Sequence, residues 1–354
     1  MLAKAGGPGP RTRVPVSAAL AVFAKGDDAG EPGARRSFSV IFITAFQKKR
    51  AKILTSEAPL SAVARFGETR GRKAMGFSVT FWGVRGTIPC PLASHMRFGG
   101  NTSCVEVQAG DSRIIFDAGT GLRLLGKQFL ADGVKRATLL LSHTHLDHIS
   151  GFPFFGPAFQ PGFVFKVMAG HLNNGDRDGT DIRSVLARQM ERPLFPVPLQ
   201  TMGCSISFED FKPGDSFALE DGVRVRTAPL NHPDGATGYV VEHQGRSVAY
   251  VTDTEHLPGR LDRNILELVE GVDLLIYDTT YSDAEYAAAR VGWGHSTWQE
   301  GVKLAEAAKV GRLVLFHHEP DHDDEIMATI EAEAAASRPG TFAAREGVTV
   351  TLAE

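Results

Sequence analysis

Residues 137–148 read ATLLLSHTHLDH. A short unbroken apolar run, Ala137–Ser142, gives way at once to His143, His145, Asp147 and His148. An apolar run without polar alternation fits a strand buried on both faces, the kind found in parallel sheets covered by helices. Four imidazole and carboxylate groups cannot sit inside such a strand. They fall on the loop at its carboxyl end, where open α/β sheets build their sites. This one stretch fits an α/β fold and would put polar chemistry along one edge of it.

The rest of the chain from residue 77 onward repeats the grammar. Strand-like runs occur at 78–83, 103–108, 112–117 and 163–170, and again at 222–230, 237–243, 247–253, 273–279 and 312–318. Helical patterns lie between them, over "TGLRLLGKQFLADG", 180–193, 261–269, 296–309 and 322–337. Ser296 or Thr297, with Glu300 following, has capping-box spacing. Strands alternating with helices predict a layered sandwich.

Three more polar residues end apolar strands. His232 follows strand 222–230, Asp253 ends strand 247–253, and His317 ends strand 312–317. On a loop, residues i and i+2 can converge on one ion while i+4 and i+5 reach a second. The four groups of the first loop cannot close two such sites, so the later residues are the expected partners. Imidazole and carboxylate suit Zn²⁺, Mn²⁺ or Fe²⁺.

HTHLDH resembles the HxHxDH hallmark of the metallo-β-lactamase superfamily, and the resemblance covers residues 76–354. "FDAGTG" (116–121) resembles the DxGxG turn of that superfamily. "GGNTSCVEV" and "GHSTWQEGVKLA" resemble the branch containing ribonuclease Z and the phosphodiesterase PhnP. The resemblance implies a four-layer αββα sandwich of the α/β class. It implies that His143, His145 and His232 hold one metal, that Asp147, His148 and His317 hold the other, and that Asp253 bridges them. Asp117 would buttress the metal loop. Flavodiiron oxygen reductases carry a carboxylate where this chain has His145. Class B β-lactamases lack the ligand that His148 would be and use no bridging Asp.

Two divalent ions about 3.5–4 Å apart turn a shared water into a hydroxide near neutral pH, so no Ser or Cys nucleophile is required. Asp147 would be both ligand and orienting group for that water. His295, in "GWGHST", is the expected proton donor to the leaving oxygen, matching the His assigned a comparable role in ribonuclease Z. Its place near a helix start suggests an anion site. Asp278 ends a strand nearby and either hydrogen-bonds a ligand His or caps a turn. His318 should point away from His317 by strand alternation; His317 continues the family pattern and is taken as the ligand, with His318 the alternative. His95, His171, His243, His256 and His322 lack ligand spacing and are read mostly as surface groups. Cys90, Cys104 and Cys204 form no CxxC pair and no disulfide framework, which suits a reducing cytoplasm.

Substrate class follows from the branch. Ribonuclease Z grips tRNA with an arm between the third His and the bridging Asp; here 20 residues separate His232 from Asp253, enough for a hairpin only. Residues 75–354 carry 24 Lys/Arg against 36 Asp/Glu, or −12, where phosphate-tracking proteins carry a basic stripe. A small cyclic or nucleotide-like phosphodiester is therefore the expected substrate. The alternatives are a ribonuclease Z-like endoribonuclease and a non-catalytic metal-binding sensor. Residues 171–200 read as a lid that mixes Met190, Leu194, Phe195 and Pro196 with Arg183, Arg188 and Arg192. Dimers are common in the branch, so a homodimer is among the expectations.

Residues 1–74 are a different kind of chain, with 14 Lys/Arg against 5 Asp/Glu and much Ala, Gly and Pro. They predict a basic, disordered extension. Arg35-Arg36-Ser37-Phe38 resembles a twin-arginine signal, but the apolar run after it is nine residues, ends in Lys48, Lys49 and Arg50, and lacks a cleavage site. It reads as an incidental patch. Met75, immediately before the first strand, suggests a native start there. No apolar run reaches the length of a membrane span.

Overall fold

The computed structural model describes residues 76–172 and 180–352. The basic extension and the proposed start at Met75 lie outside the described residues. The first six strands are β1 (Phe77–Gly83), β2 (Cys104–Ala109), β3 (Ser112–Phe116), β4 (Arg136–Leu141), β5 (Val164–Ala169) and β6 (Ser205–Asp210). β7 (Ser216–Ala218), β8 (Arg224–Leu230), β9 (Ala236–His243), β10 (Arg246–Val251) and β11 (Leu274–Asp278) follow. β12 (Arg312–Phe316), β13 (Phe342–Ala343) and β14 (Thr349–Thr351) end the series. The helices are α1 (Leu122–Asp132), α2 (Leu146–Ile149), α3 (Ile182–Gln189), α4 (Arg263–Val269), α5 (Asp283–Ala289), α6 (Trp298–Ala307) and α7 (Asp324–Ser337).

The strands form two mixed sheets, ordered β14-β1-β2-β3-β4-β5-β6 and β13-β12-β11-β10-β9-β8-β7. Each sheet changes from antiparallel to parallel pairing along its width, at β3 in the first and at β10 in the second. Three apolar layers follow from strand periodicity. Leu140 of β4 faces the core between the sheets, beside Tyr250 and Phe316 of the second sheet. Leu139 and Leu141 face the opposite way, against Leu125 and Phe129 of α1 and Leu186 of α3. Val302 of α6 and Met327 of α7 cover the outer face of the second sheet. The result is the expected αββα sandwich.

Local signals explain the helix ends. α1 buries Leu122, Leu125, Gly126 and Phe129, one stripe at helical spacing. It stops at Gly133, whose φ of 68° suits glycine. Thr297, not Ser296, caps α6 by accepting from the Glu300 N–H at 3.2 Å. The Glu300 carboxylate bonds Lys303 Nζ at 2.6 Å, so only half of the expected capping box forms. β9 and β10 make the hairpin anticipated between His232 and Asp253, turning through Gln244 and Gly245, both at positive φ.

Of the expected lid, residues 173–179 lie outside the described residues. α3 buries Ile182, Leu186 and Met190 against the outer core of the first sheet, and Gln189 Nε2 donates to Ile149 O at 2.9 Å. Leu194 is exposed, and Phe195 meets Phe154 edge-on. No helix among the described residues is long and apolar enough to cross a membrane.

Candidate metal centre

The parallel strands deliver the polar residues to one edge. β4 leads directly into His143, and β12 leads directly into His317. Val251 pairs with Tyr277, and Asp278 pairs with Phe316, so the ends of β10, β11 and β12 stand side by side. Asp253 follows the first of these by two residues. Three residues at these turns take the left-handed region: Asp117 (φ 59°), Asp253 (φ 54°) and His317 (φ 63°). Such conformations are uncommon outside glycine and gather at functional sites.

The seven residues singled out as ligands converge. His232 Nε2 lies 3.1 Å from His145 Nδ1. His143 Nε2 and His232 Nε2 lie 3.7 and 3.8 Å from Asp253 Oδ2. On the other side, His148 Nε2 and His317 Nε2 are 3.3 Å apart. Each is 3.2 Å from Asp253 Oδ1, and they lie 3.2 and 3.3 Å from Asp147 Oδ2. Among the described residues, His143, His145 and His232 form one group able to hold an ion, and Asp147, His148, Asp253 and His317 form another.

The outward nitrogens show why these rings point inward. His148 Nδ1 meets Asp117 Oδ2 at 2.8 Å. His232 Nδ1 meets Gly294 O at 2.8 Å. His317 Nδ1 meets Thr280 Oγ1 at 3.0 Å, and His143 Nδ1 meets Ser142 Oγ at 3.1 Å. Fixing one imidazole nitrogen in this way leaves the other as a ligand atom. His143 Nε2 is buried without a hydrogen-bond partner, which is costly unless a cation takes its lone pair. The donor set and this orphaned atom fit a metal site.

Asp117 buttresses the loop as expected. Its carboxylate accepts from Ser142 N, Ser142 Oγ and Tyr250 OH at 2.7, 2.7 and 2.8 Å, besides meeting His148. The charges reinforce one another. Burial opposes the charge of His148, but Asp253, Asp147 and Asp117 outweigh it and hold the imidazole well above its usual range. Burial works against Asp253 and Asp147 too, yet the surrounding histidines keep both well below the usual carboxylate range. His143 is driven well below its usual value by burial and by the neighbouring His148.

His295 stands beside this cage, its ring 4.9 Å from that of His317. Its Nδ1 meets Asp278 Oδ2 at 3.0 Å. Burial disfavours its charge, but Asp278 and Asp253 outweigh that and lift it to about 9. His295 precedes the Thr297 cap of α6, so the carboxylate rather than a helix terminus sets its charge. Asp278 both bonds a His and closes a turn: it accepts from Thr254 N and from the N–H and hydroxyl of Thr280. Its His partner is His295, not one of the seven expected ligands.

Sequence reading missed several supports. Thr87 N–H donates to Asp147 Oδ2 at 2.7 Å from a loop whose φ at Thr87 is 62°. Arg85 is fully buried and donates to the carbonyls of Gly99, Glu319 and His322, pinning the loop after His317. Glu255 accepts from Gly292 N and Gly294 N and so fixes the carbonyl that holds His232. His95, His171, His243 and His322 are buried, not surface groups; His171 Nε2 meets Thr144 Oγ1 within the HTH loop at 3.0 Å. His318 turns away to Ala344 O at 2.9 Å. Cys90 and Cys104 are buried and Cys204 is partly so, all as free thiols.

A family model described as "Beta-lactamase superfamily domain" matches residues 112–318. The chain belongs to that superfamily. Within it, a ribonuclease Z of Bradyrhizobium sp. (strain ORS 278) is 29% identical over 314 residues, covering 75% of this chain and 96% of the relative. The structure of a diphosphatase from the PhnP family matches with a TM-score of 0.56 at 19% identity, over 77% of this chain and 97% of that one. Zn²⁺-bound PqqB from Methylobacterium extorquens matches with a TM-score of 0.55 at 17% identity, over 77% and 99%. The family match shows the superfamily, and the two solved structures share its fold.

Proposed function

We propose that this hydrolase cleaves nucleotide-like phosphodiesters with two divalent ions, Zn²⁺ before Mn²⁺ or Fe²⁺. One observation carries the reading. Asp253 offers Oδ1 to His148 and His317 at 3.2 Å, and Oδ2 to His143 and His232 at 3.7 and 3.8 Å. A single carboxylate serves both groups. His143, His145 and His232 would hold one ion, Asp147, His148 and His317 the other, and Asp253 both. Ions held there would supply a hydroxide nucleophile near neutral pH and offset charge building on phosphoryl oxygens.

The chain's own groups do the rest. Asp147, anchored by the Thr87 N–H, orients the incoming water. The Asp278 bond at His295 Nδ1 leaves Nε2 to carry the proton for the leaving oxygen. Gly294, next to His295, bonds His232 through its carbonyl, so ligand and proton donor share one loop. A small substrate is favoured by the bare hairpin between His232 and Asp253 and by the −12 balance of residues 75–354. Cleavage of RNA is the second reading, favoured by the relative named ribonuclease Z. The lid stays part of the proposal: exposed Leu194 and Arg192 are available to close over a bound diester.

The test is a panel of bis-(p-nitrophenyl) phosphate, cyclic nucleotides and tRNA precursors, with metal restored to stripped protein. Hydrolysis of the small diesters supports the first reading and cleavage of tRNA precursors alone the second. No hydrolysis with two ions bound defeats both. His295→Ala should keep both metals and lose about 10²–10⁴-fold in turnover, the range for a lost general acid. Loss of metal in that variant would make His295 structural.

A further inference from the structure

The segment between α5 and His295 carries an exposed aromatic that the reaction described above leaves unused. Trp293 is 55% exposed, whereas Trp298 is buried. Its loop is braced from beneath. Glu255 Oε1 accepts from Gly292 N at 2.7 Å and from Tyr286 OH at 2.6 Å, and Oε2 accepts from Gly294 N at 2.9 Å. Gly292 and Gly294 flank the tryptophan at φ 84° and 85°. A Cβ on Gly294 would lie 2.5 Å from His232 Nδ1, so the loop must pass this close to the cage. An indole ring held out to solvent on a fixed loop is pre-organised for contact.

The ring also has company. The Arg290 guanidinium lies 4.5 Å from the centroid of Trp293 and 5.6 Å from that of Tyr281. The Tyr281 ring is 6.0 Å from that of His295. Indole, guanidinium, phenol and imidazole thus form a row from the solvent-exposed loop to the residue that faces the cage. Two peptide units separate Trp293 from His295, about 7.6 Å between Cα atoms at most. That is the scale of one nucleotide.

We infer that Trp293, backed by Arg290, is the platform on which a nucleobase next to the scissile phosphate stacks. It rests on the phosphodiester reading and names the group that reading leaves open. Every base offers a π face to an indole, and a guanidinium adds attraction to base and phosphate alike. The subsite therefore selects diesters that carry a heteroaromatic base while tolerating which base it is.

The experiment uses the full chain reloaded with metal, with Trp293→Leu and Trp293→Phe. Leu keeps apolar bulk without a π face, and Phe restores one. The first readout is binding of thymidine 5′-monophosphate and of inorganic phosphate by calorimetry. Trp293→Leu should weaken the nucleotide about 5- to 150-fold, the span of one lost base stack. It should leave inorganic phosphate unchanged, and Trp293→Phe should recover most of the loss. The second readout is the kcat/KM ratio for thymidine 5′-p-nitrophenyl phosphate over methyl p-nitrophenyl phosphate, which should fall by the same factor. Equal losses with both esters, no loss with either, or a Phe variant no better than Leu overturns the platform. If neither ester is hydrolysed, the phosphodiester reading fails, and the calorimetric arm still decides the platform by itself.

Discussion

The two halves of the cage are built in opposite ways. The half from the first sheet is local: His143, His145, Asp147 and His148 fall within one six-residue stretch after β4, and one carboxylate, Asp117, ties that loop down through Ser142 and His148. The half from the second sheet is assembled from afar. His232, Asp253 and His317 follow three different strands, and their neighbours Asp278 and His295 come from two more connections. Strand register, not loop spacing, brings them together: parallel across β10, β11 and β12, and antiparallel from β8 through β9 to β10. A local half can be rebuilt by any strand that presents the loop. A register-built half depends on every strand staying in step, and its supports are correspondingly spread over Thr280, Glu255 and Arg85.

Asp253 comes from the second half but touches both metal-holding groups, so its removal should have the largest effect. Asp253→Ala should lower the affinity for both ions together and cost several kcal/mol of transition-state stabilisation, about 10³-fold in kcat/KM. Metal titration monitored by elemental analysis checks this. Retention of one ion at full affinity would show that the two groups do not share the carboxylate. Asp117→Ala comes next; it acts from the local half and should stay within one metal-holding group. It strips the outer partner from His148 and leaves the buried Ser142 and Tyr250 donors unpaired. Affinity at the Asp147–His148–His317 group should fall about 10–100-fold. Folding stability should fall as well, by about 1–3 kcal/mol for each unpaired donor, read from denaturant unfolding of the metal-free protein.

The same contrast decides what could be read without coordinates. The local half was legible because buried-strand periodicity and ligand spacing coincide in ATLLLSHTHLDH. His232, Asp253 and His317 were legible more weakly, as polar residues ending apolar runs, and the family resemblance paired them. The supports were not legible. Thr87 acts through its backbone N–H, which any residue but proline supplies. Arg85 looks like a surface arginine in sequence, but its partners are carbonyls up to 237 positions away. Asp278 was legible as a carboxylate that bonds a ligand His or caps a turn, but not its partner; the bond to His295 needs the loop before α6 to fold back over β11. In the fold, β6 was missed because its SISFED run alternates without a fully buried residue. β13 and β14 are only two and three residues long. The S-x-x-E signal of α5 was present in the chain, and Ser282 with Glu285 does form the reciprocal capping box there.

The smallest expected effect tests whether the register-built half transmits disturbance across the cage. Thr280 Oγ1 lies 2.7 Å from Asp278 Oδ1 and 3.0 Å from His317 Nδ1. A hydroxyl has one proton. If that proton goes to Asp278, then His317 Nδ1–H donates to the hydroxyl oxygen, and the lone pair of His317 Nε2 faces inward. Thr280→Val keeps the shape and removes the hydroxyl, so His317 loses the bond that sets its tautomer while Asp278 keeps His295 and Thr254. Affinity should fall about tenfold at the Asp147–His148–His317 group, the lower end for a lost outer partner. The His143–His145–His232 group should be unaffected, because no bond of Thr280 reaches it except through Asp253. Stepwise Zn²⁺ titration against a competing chelator separates the two affinities. Equal weakening of both would mean that Asp253 shifts whenever His317 does, and that the two metal-holding groups act as one body rather than as neighbours sharing a carboxylate.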